Sequence, residues 1–194
     1  MATPTIVTQR GSIGCGTLAT APTSGTVGVR SAEPSTVPLF RLDFGFTAAR
    51  VPWTDAAGSG SSGSLLLMTF NEGVTTLLGS TQRWTVVTDV AGTITTAGLD
   101  MVGVIAFGTV AANAGDGALT STEVDWCSTR SFTMPSTGFS TAIIQAGVLA
   151  GIDGTTTANP MYLNASGTAA TSDANGSLDL TGYFSIWGVI GGDN

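Results

Sequence analysis

Histidine and lysine are both absent from the 194 residues, and cysteine occurs only as Cys15 and Cys127. Without histidine, Ser-His-Asp and Cys-His catalysis are excluded, and the commonest zinc ligand is missing. Without lysine there is neither a Schiff-base nucleophile nor a P-loop. Glu and Gln occur three times each, so most straight-chain helix formers are scarce. The six arginines stand singly. With no basic cluster to neutralise phosphates, neither nucleic acid nor an anionic membrane is expected as a partner. No uninterrupted apolar run approaches the roughly 18 residues of a membrane helix. Met1 to Gln9 has neither the basic region nor the apolar core of a secretory signal, so synthesis in the cytoplasm is expected.

What fills the chain instead is Thr, Gly, Ala and Ser, 100 residues in all, of which 32 are Thr. Threonine favours strands, and the apolar fraction of 42% argues against a disordered low-complexity chain. An all-β fold follows. Charged residues make up only 10%, which leaves a surface of hydroxyls, glycine and small apolar groups suited to burial against other copies. The net charge of −7 is uneven. Residues 1–97 balance five arginines against five acids, whereas residues 98–194 set Arg130 alone against eight.

Residues 1–38 are punctuated by Gly and Pro at short intervals, as in Gly11-Ser12-Ile13-Gly14 and Glu33-Pro34-Ser35. They are expected to form an extended N-terminal arm or a strapped edge, with Ile6, Val7, Ile13, Leu18 and Val27 as anchors. Residues 39–194 are expected to form the body. Phe40, Leu42, Phe44 and Phe46 alternate with polar or small residues, the period-2 pattern of a half-buried strand. Thr54 to Ser64 has almost no side-chain bulk and predicts a surface loop. Further strands are expected at Leu65–Phe70, Trp84–Thr88, Leu99–Thr109, Ser131–Met134, Thr141–Leu149, Met161–Asn164 and Leu178–Ile190. Eight strands with short connections describe a jelly-roll-like β-sandwich. In the last strand, Leu178, Leu180, Phe184 and Ile186 share the core face, and Tyr183 and Trp187 point outward. Thr120-Ser121-Thr122-Glu123 matches a capping box, enough for one short turn of helix.

Carboxylates are the remaining chemistry. Asp116, Asp153, Asp173, Asp193 and Glu72 sit beside or near Gly or Asn, where such side chains cap turns. Glu123 and Asp125 are two apart, and Glu123 already has a capping role. Gly58-Ser59-Gly60-Ser61-Ser62-Gly63 matches the dinucleotide pattern G-x-G-x-x-G, but a strand follows where a helix must. Asp116-Gly117 and Asp153-Gly154 lack the dense oxygen ligands of a calcium loop. No cofactor and no metal are expected. The two cysteines are read as buried thiols, with a disulfide between them left open. Asn164-Ala165-Ser166 and Asn175-Gly176-Ser177 are glycosylation sequons, meaningful only in a secretory pathway.

Val51 to Ser64, the following Leu65 to Gly73, and Tyr162 to Ala170 resemble small virion structural proteins of tailed bacteriophages, including those of aquatic bacteria. The resemblance spans residues 40–190, and its motifs are structural rather than chemical. It implies a non-enzymatic capsid decoration (cement) protein with a jelly-roll-like body, sitting as a trimer on the outer capsid surface. The implied partners are the major capsid protein and other copies of the chain. The N-terminal arm has no counterpart in the resemblance. Arm anchors Ile6, Val7, Ile13 and Leu18, arginines Arg10, Arg30, Arg41 and Arg50, and Trp53 are the candidate contact residues. Two alternatives are a tail, fibre or head-spike protein binding a host glycan, and a small carboxylate-dependent polysaccharide hydrolase.

Overall fold

A computed structural model describes residues 12–13, 16–19, 26–32, 39–56, 60–71, 73–88, 101–113, 117–134, 139–141, 151–154, 159–167 and 175–190. They form twelve strands and a single 3-10 turn at Ser121–Glu123, with no α-helix among the described residues. The strands are β1 (Ser12–Ile13), β2 (Gly16–Leu18), β3 (Thr26–Ala32), β4 (Leu39–Ala56), β5 (Gly60–Phe70) and β6 (Gly73–Thr88), then β7 (Met101–Gly108), β8 (Cys127–Met134), β9 (Phe139–Thr141), β10 (Gly151–Gly154), β11 (Pro160–Gly167) and β12 (Gly176–Ile190). They pair in the order β10-β6-β12-β4-β5-β11-β7-β8, antiparallel throughout. This is the all-β, jelly-roll-like sandwich that the composition and periodicity predict.

Two layers follow from the pairings. In the first, β6, β12 and most of β4 lie side by side, with β3 on the far edge of β4 and both β9 and β10 on the far edge of β6. In the second, β5, β11, β7 and β8 run in succession, and β2 pairs with β5. The described parts of the N-terminal segment are therefore extended and strapped to both layers, β3 along Arg41–Thr47 and β2 along Met68–Phe70.

One strand joins the layers. Up to Trp53, β4 pairs with β12; from Thr54 to Ala56 it pairs with β5. The surface loop expected over Thr54–Ser64 is corrected here, because β4 runs on to Ala56 and β5 begins at Gly60. Ser61, Ser62 and Gly63 are buried. Small side chains are needed for close approach, not for exposure. A Cβ on Gly63 would lie 1.8 Å from the Pro52 carbonyl oxygen, and one on Gly60 (φ +116°) would lie 2.3 Å from Gly117 Cα. The strands expected at Phe40–Phe46, Leu65–Phe70 and Trp84–Thr88 are parts of the longer β4, β5 and β6.

These strands are kept on one core by bulges. In β4 the buried positions are Phe40, Leu42, Phe44 and Phe46, then Ala49, Val51 and Trp53. The parity change falls where the β12 register slips, at Ala48 with φ +47°, and the Thr181 hydroxyl accepts from the Ala48 amide at 3.0 Å. An extra residue flips every later side chain unless the chain bends back. A second slip in β6 leaves Leu78 exposed, and a third in β5 buries Leu67 and Met68 in succession.

Aromatic rings fill the space between layers. Phe184 of β12 stacks on Phe107 of β7 with centroids 3.6 Å apart, and Phe40 of β4 meets Phe70 of β5 at 5.4 Å. Trp84 packs on Phe46 at 4.8 Å, and Trp126 stacks on Phe70 at 4.6 Å. Burying such a side chain contributes about 1.5–3 kcal/mol, so this ring chain is a main source of cohesion between the sheets.

Candidate functional site

The residues singled out in the sequence do not converge on one place. Ile6, Val7 and Arg10 lie outside the described residues. Ile13 is in β1 opposite Gly16, Leu18 in β2 opposite Met68, and Arg30 in β3 opposite Asp43. Arg50 donates through Nε and Nη2 to the two Asp179 carboxylate oxygens at 2.9 and 3.0 Å, tying β4 to β12. Trp53, expected at a subunit contact, is only 2% exposed and lies in the chain's own core. It closes over Gly167, whose Cβ position is 3.0 Å from the indole ring.

Three carboxylates with described side chains, Glu123, Asp125 and Asp55, are engaged in local structure, whereas Glu72, Asp173 and Asp193 lie outside the described residues. Glu123 is buried and accepts the Asn113 amide at 3.2 Å and the Thr120 amide at 2.8 Å, the second bond being its half of the expected capping box. Asp125 accepts the Thr109 amide and hydroxyl, both at 2.7 Å. Asp55 accepts from Ser61 Oγ at 3.1 Å. Asp153, considered for calcium, stands in β10 opposite Val74; Asp116 lies outside the described residues. Among the described residues no cluster of three or more His, Cys, Asp or Glu could hold a metal ion.

Sequence reasoning missed the polar network that these acids belong to. Residues 109–113 and 117–125 lie on the outer face of the second layer, and Asn164 of β11 is the hook. Its Nδ2 donates to the Val110 and Glu123 carbonyls at 2.9 and 2.8 Å, and its Oδ1 accepts from Ser64 Oγ at 2.7 Å and the Ala112 amide at 3.1 Å. Ser62 adds a bond from its hydroxyl to the Asn113 carbonyl. Asn164 has no exposed surface, so its sequon is closed to any transferase in the folded chain. The available signal was polar alternation: Ser62 and Ser64 against Asn164 and Ser166, separated by Gly63 and Ala165, facing outward on paired strands.

A second buried polar group joins the layers. The Trp84 indole N–H donates to Gln82 Oε1 at 2.7 Å, Gln82 Nε2 donates to Cys127 Sγ at 3.6 Å, and Ser80 Oγ lies 3.5 Å from the same sulfur. An indole N–H only donates, which fixes the orientation of the amide. Burial pushes the Cys127 thiol above its ordinary pKa; the Ser80 hydrogen bond and the Arg130 charge pull it part of the way back. Cys127 is a buried thiol as expected, and Cys15 lies outside the described residues.

With the second layer covered by residues 109–113 and 117–125, the outer face of the first layer is the surface left open by the described residues. Register sets its rows. Arg83, Tyr183, Gly45 and Gly28 stand abreast on β6, β12, β4 and β3, followed by Thr81, Ser185, Asp43 and Arg30, then Gly79, Trp187, Arg41 and Ala32. Tyr183 is 42% exposed, and its β4 neighbour Gly45 has no side chain to shield it. Trp187 lies flat on Gly79, where a Cβ would be 2.3 Å from the ring. Arg41 donates to Asp43 at 3.1 Å along the strand. Tyr183 and Trp187 thus occupy the outer face assigned to them by the alternation of β12, while Phe184 and Ile186 are fully buried.

Comparison with protein-family models, curated proteins and solved structures gives no match for the chain.

Proposed function

We propose that the chain is a non-enzymatic virion structural protein, of the capsid decoration type, which oligomerises and bridges capsid subunits on the outer shell. The observation that carries this reading is the contrast between the two outer faces. One is closed by residues 109–113 and 117–125, fastened through Asn164, Glu123 and Asp125. The other is a broad sheet of Thr, Arg, Gly and two aromatics, built on strands of 15, 16 and 18 residues. Such a face offers area and hydrogen bonds rather than a reaction centre. On this reading the partners are the major capsid protein and sister copies, and the effect is passive: each bridging copy stabilises the assembled shell by binding it in preference to free subunits.

The exposed Tyr183 ring favours a second reading, a tail, fibre or head-spike protein that stacks a host sugar. A carboxylate hydrolase is disfavoured by the engagement of Glu123 and Asp125 with backbone amides. Cosedimentation of the purified chain with capsid shells, together with its copy number per particle, tests the proposal. Copy number in proportion to the major shell protein is expected. A tail-like low copy number, or glycan binding without shell binding, would overturn it.

A further inference from the structure

We infer that the open outer face of β6, β12 and β4, centred on Tyr183 and Arg83, is the docking surface, and that its partner is a carboxylate-bearing protein surface. The inference rests on the capsid reading above and adds the face and the chemistry of the contact.

Charge distribution is the first support. The chain as a whole carries −7, yet on this face the described ion pairs, Arg41 with Asp43 and Arg50 with Asp179, consume both aspartates. Arg83 is left over. It is exposed, it makes no ion pair among the described residues, and the residues flanking it on the face are Tyr183, Thr81 and Thr85. Among the described residues no carboxylate stands in its row. A guanidinium presents five N–H donors in a planar fork matched to a carboxylate, so the complementary partner group is acidic. A face-to-face contact between two copies would instead set arginine against arginine, which is unfavourable.

The aromatic content is the second support. Tyr, Trp and Arg are the side chains that dominate protein–protein hot spots, where a rigid ring sits centrally and is desolvated on binding. Tyr183 has that position, between Arg83 and the bare backbone of Gly45. The Trp187 ring lies over Gly79, which has no side chain to intervene. The face is a broad sheet rather than a cleft, the shape suited to a protein surface.

The test measures binding of the full chain and its variants to capsid shells purified without it, at low and high salt. Wild-type binding that weakens with salt is expected. Arg83→Glu and Tyr183→Ala should each bind at least about tenfold more weakly, with unchanged far-UV spectra and melting. Tyr183→Phe should retain binding, and Val102→Glu, which places a carboxylate on the other layer, should bind as wild type. Should Arg83→Glu disturb the sheet, Arg83→Gln repeats the measurement and is expected to lose the salt sensitivity. Wild-type affinity in the folded variants overturns the inference while leaving the capsid reading intact. Failure of the wild type to bind shells overturns the capsid reading, and this inference with it. Retention on host glycan that is lost in Tyr183→Ala, with shell binding unaltered, reassigns the face to sugar.

Discussion

Individual residues in this chain are chosen more for where they let the backbone go than for what they react with. Gly63 is the plainest case, since a methyl group there would collide with the Pro52 carbonyl at 1.8 Å. Its place inside a Gly/Ser run makes it look like a loop residue, because composition alone cannot distinguish a glycine needed for mobility from one needed for close approach. Cys127 shows the reverse. Its identity as a buried thiol was legible, but its partners Gln82 and Ser80 come from a strand of the other layer. A thiol held above its ordinary value gives up its proton later in the folded chain than in the unfolded one. Its contribution to stability is therefore complete below the unfolded value of 9.0 and is lost as pH rises through the higher folded value. Comparing melting temperatures of wild type and Cys127→Ala from pH 7 to pH 10 should show wild type losing stability relative to the variant only at the alkaline end.

At the scale of elements, alternation found the cores of the strands and missed their lengths. Phe40 to Phe46 and Leu178 to Ile186 were readable because one face is apolar and the other is not. The continuation of β4 through Ala49, Val51 and Trp53 was hidden by the bulge at Ala48, which exchanges odd and even positions. Periodicity counts residues and cannot see an extra one until a structure shows the register. The covering by residues 109–113 and 117–125 was invisible for another reason: its fastening depends on Asn164, more than forty residues away from Glu123 and fifty-four from Val110. Replacing Asn164 by Ala leaves the Val110 and Glu123 carbonyls short of a donor, while the Ala112 amide keeps Ser64 Oγ at 2.8 Å; each unmet group in a buried setting costs about 1–3 kcal/mol. Unfolding free energy in urea should fall by roughly 3 kcal/mol, and amide exchange over 109–126 should quicken before that of β11 itself.

For the whole molecule, sequence gave the class and the orientation of its last strand, and left the asymmetry of its two faces unseen. The sandwich was implied by threonine, glycine and period-2 runs; which layer would be covered was not, since that depends on a loop meeting a sheet. The N-terminal segment matters at this scale. β3 covers the β4 edge along Arg41–Thr47, and an uncovered edge of unpaired amides and carbonyls is a template for another chain. A chain lacking residues 1–38 is expected to melt lower and to self-associate, seen as growth in light scattering with concentration. A truncated chain that scatters light and melts as wild type does would show that β3 protects nothing.

One consequence of β4 belonging to both layers concerns force. A pull along that strand does not open a single edge bond by bond, since its register with β12 on one side, β3 on the other and β5 at its end are all sheared together. Forced unfolding follows the unfolding rate rather than the equilibrium free energy, so such a splice gives mechanical endurance out of proportion to thermal stability. A clamp held taut between neighbours would draw on that endurance, and the glycines that let the strand pass from sheet to sheet are what make it possible.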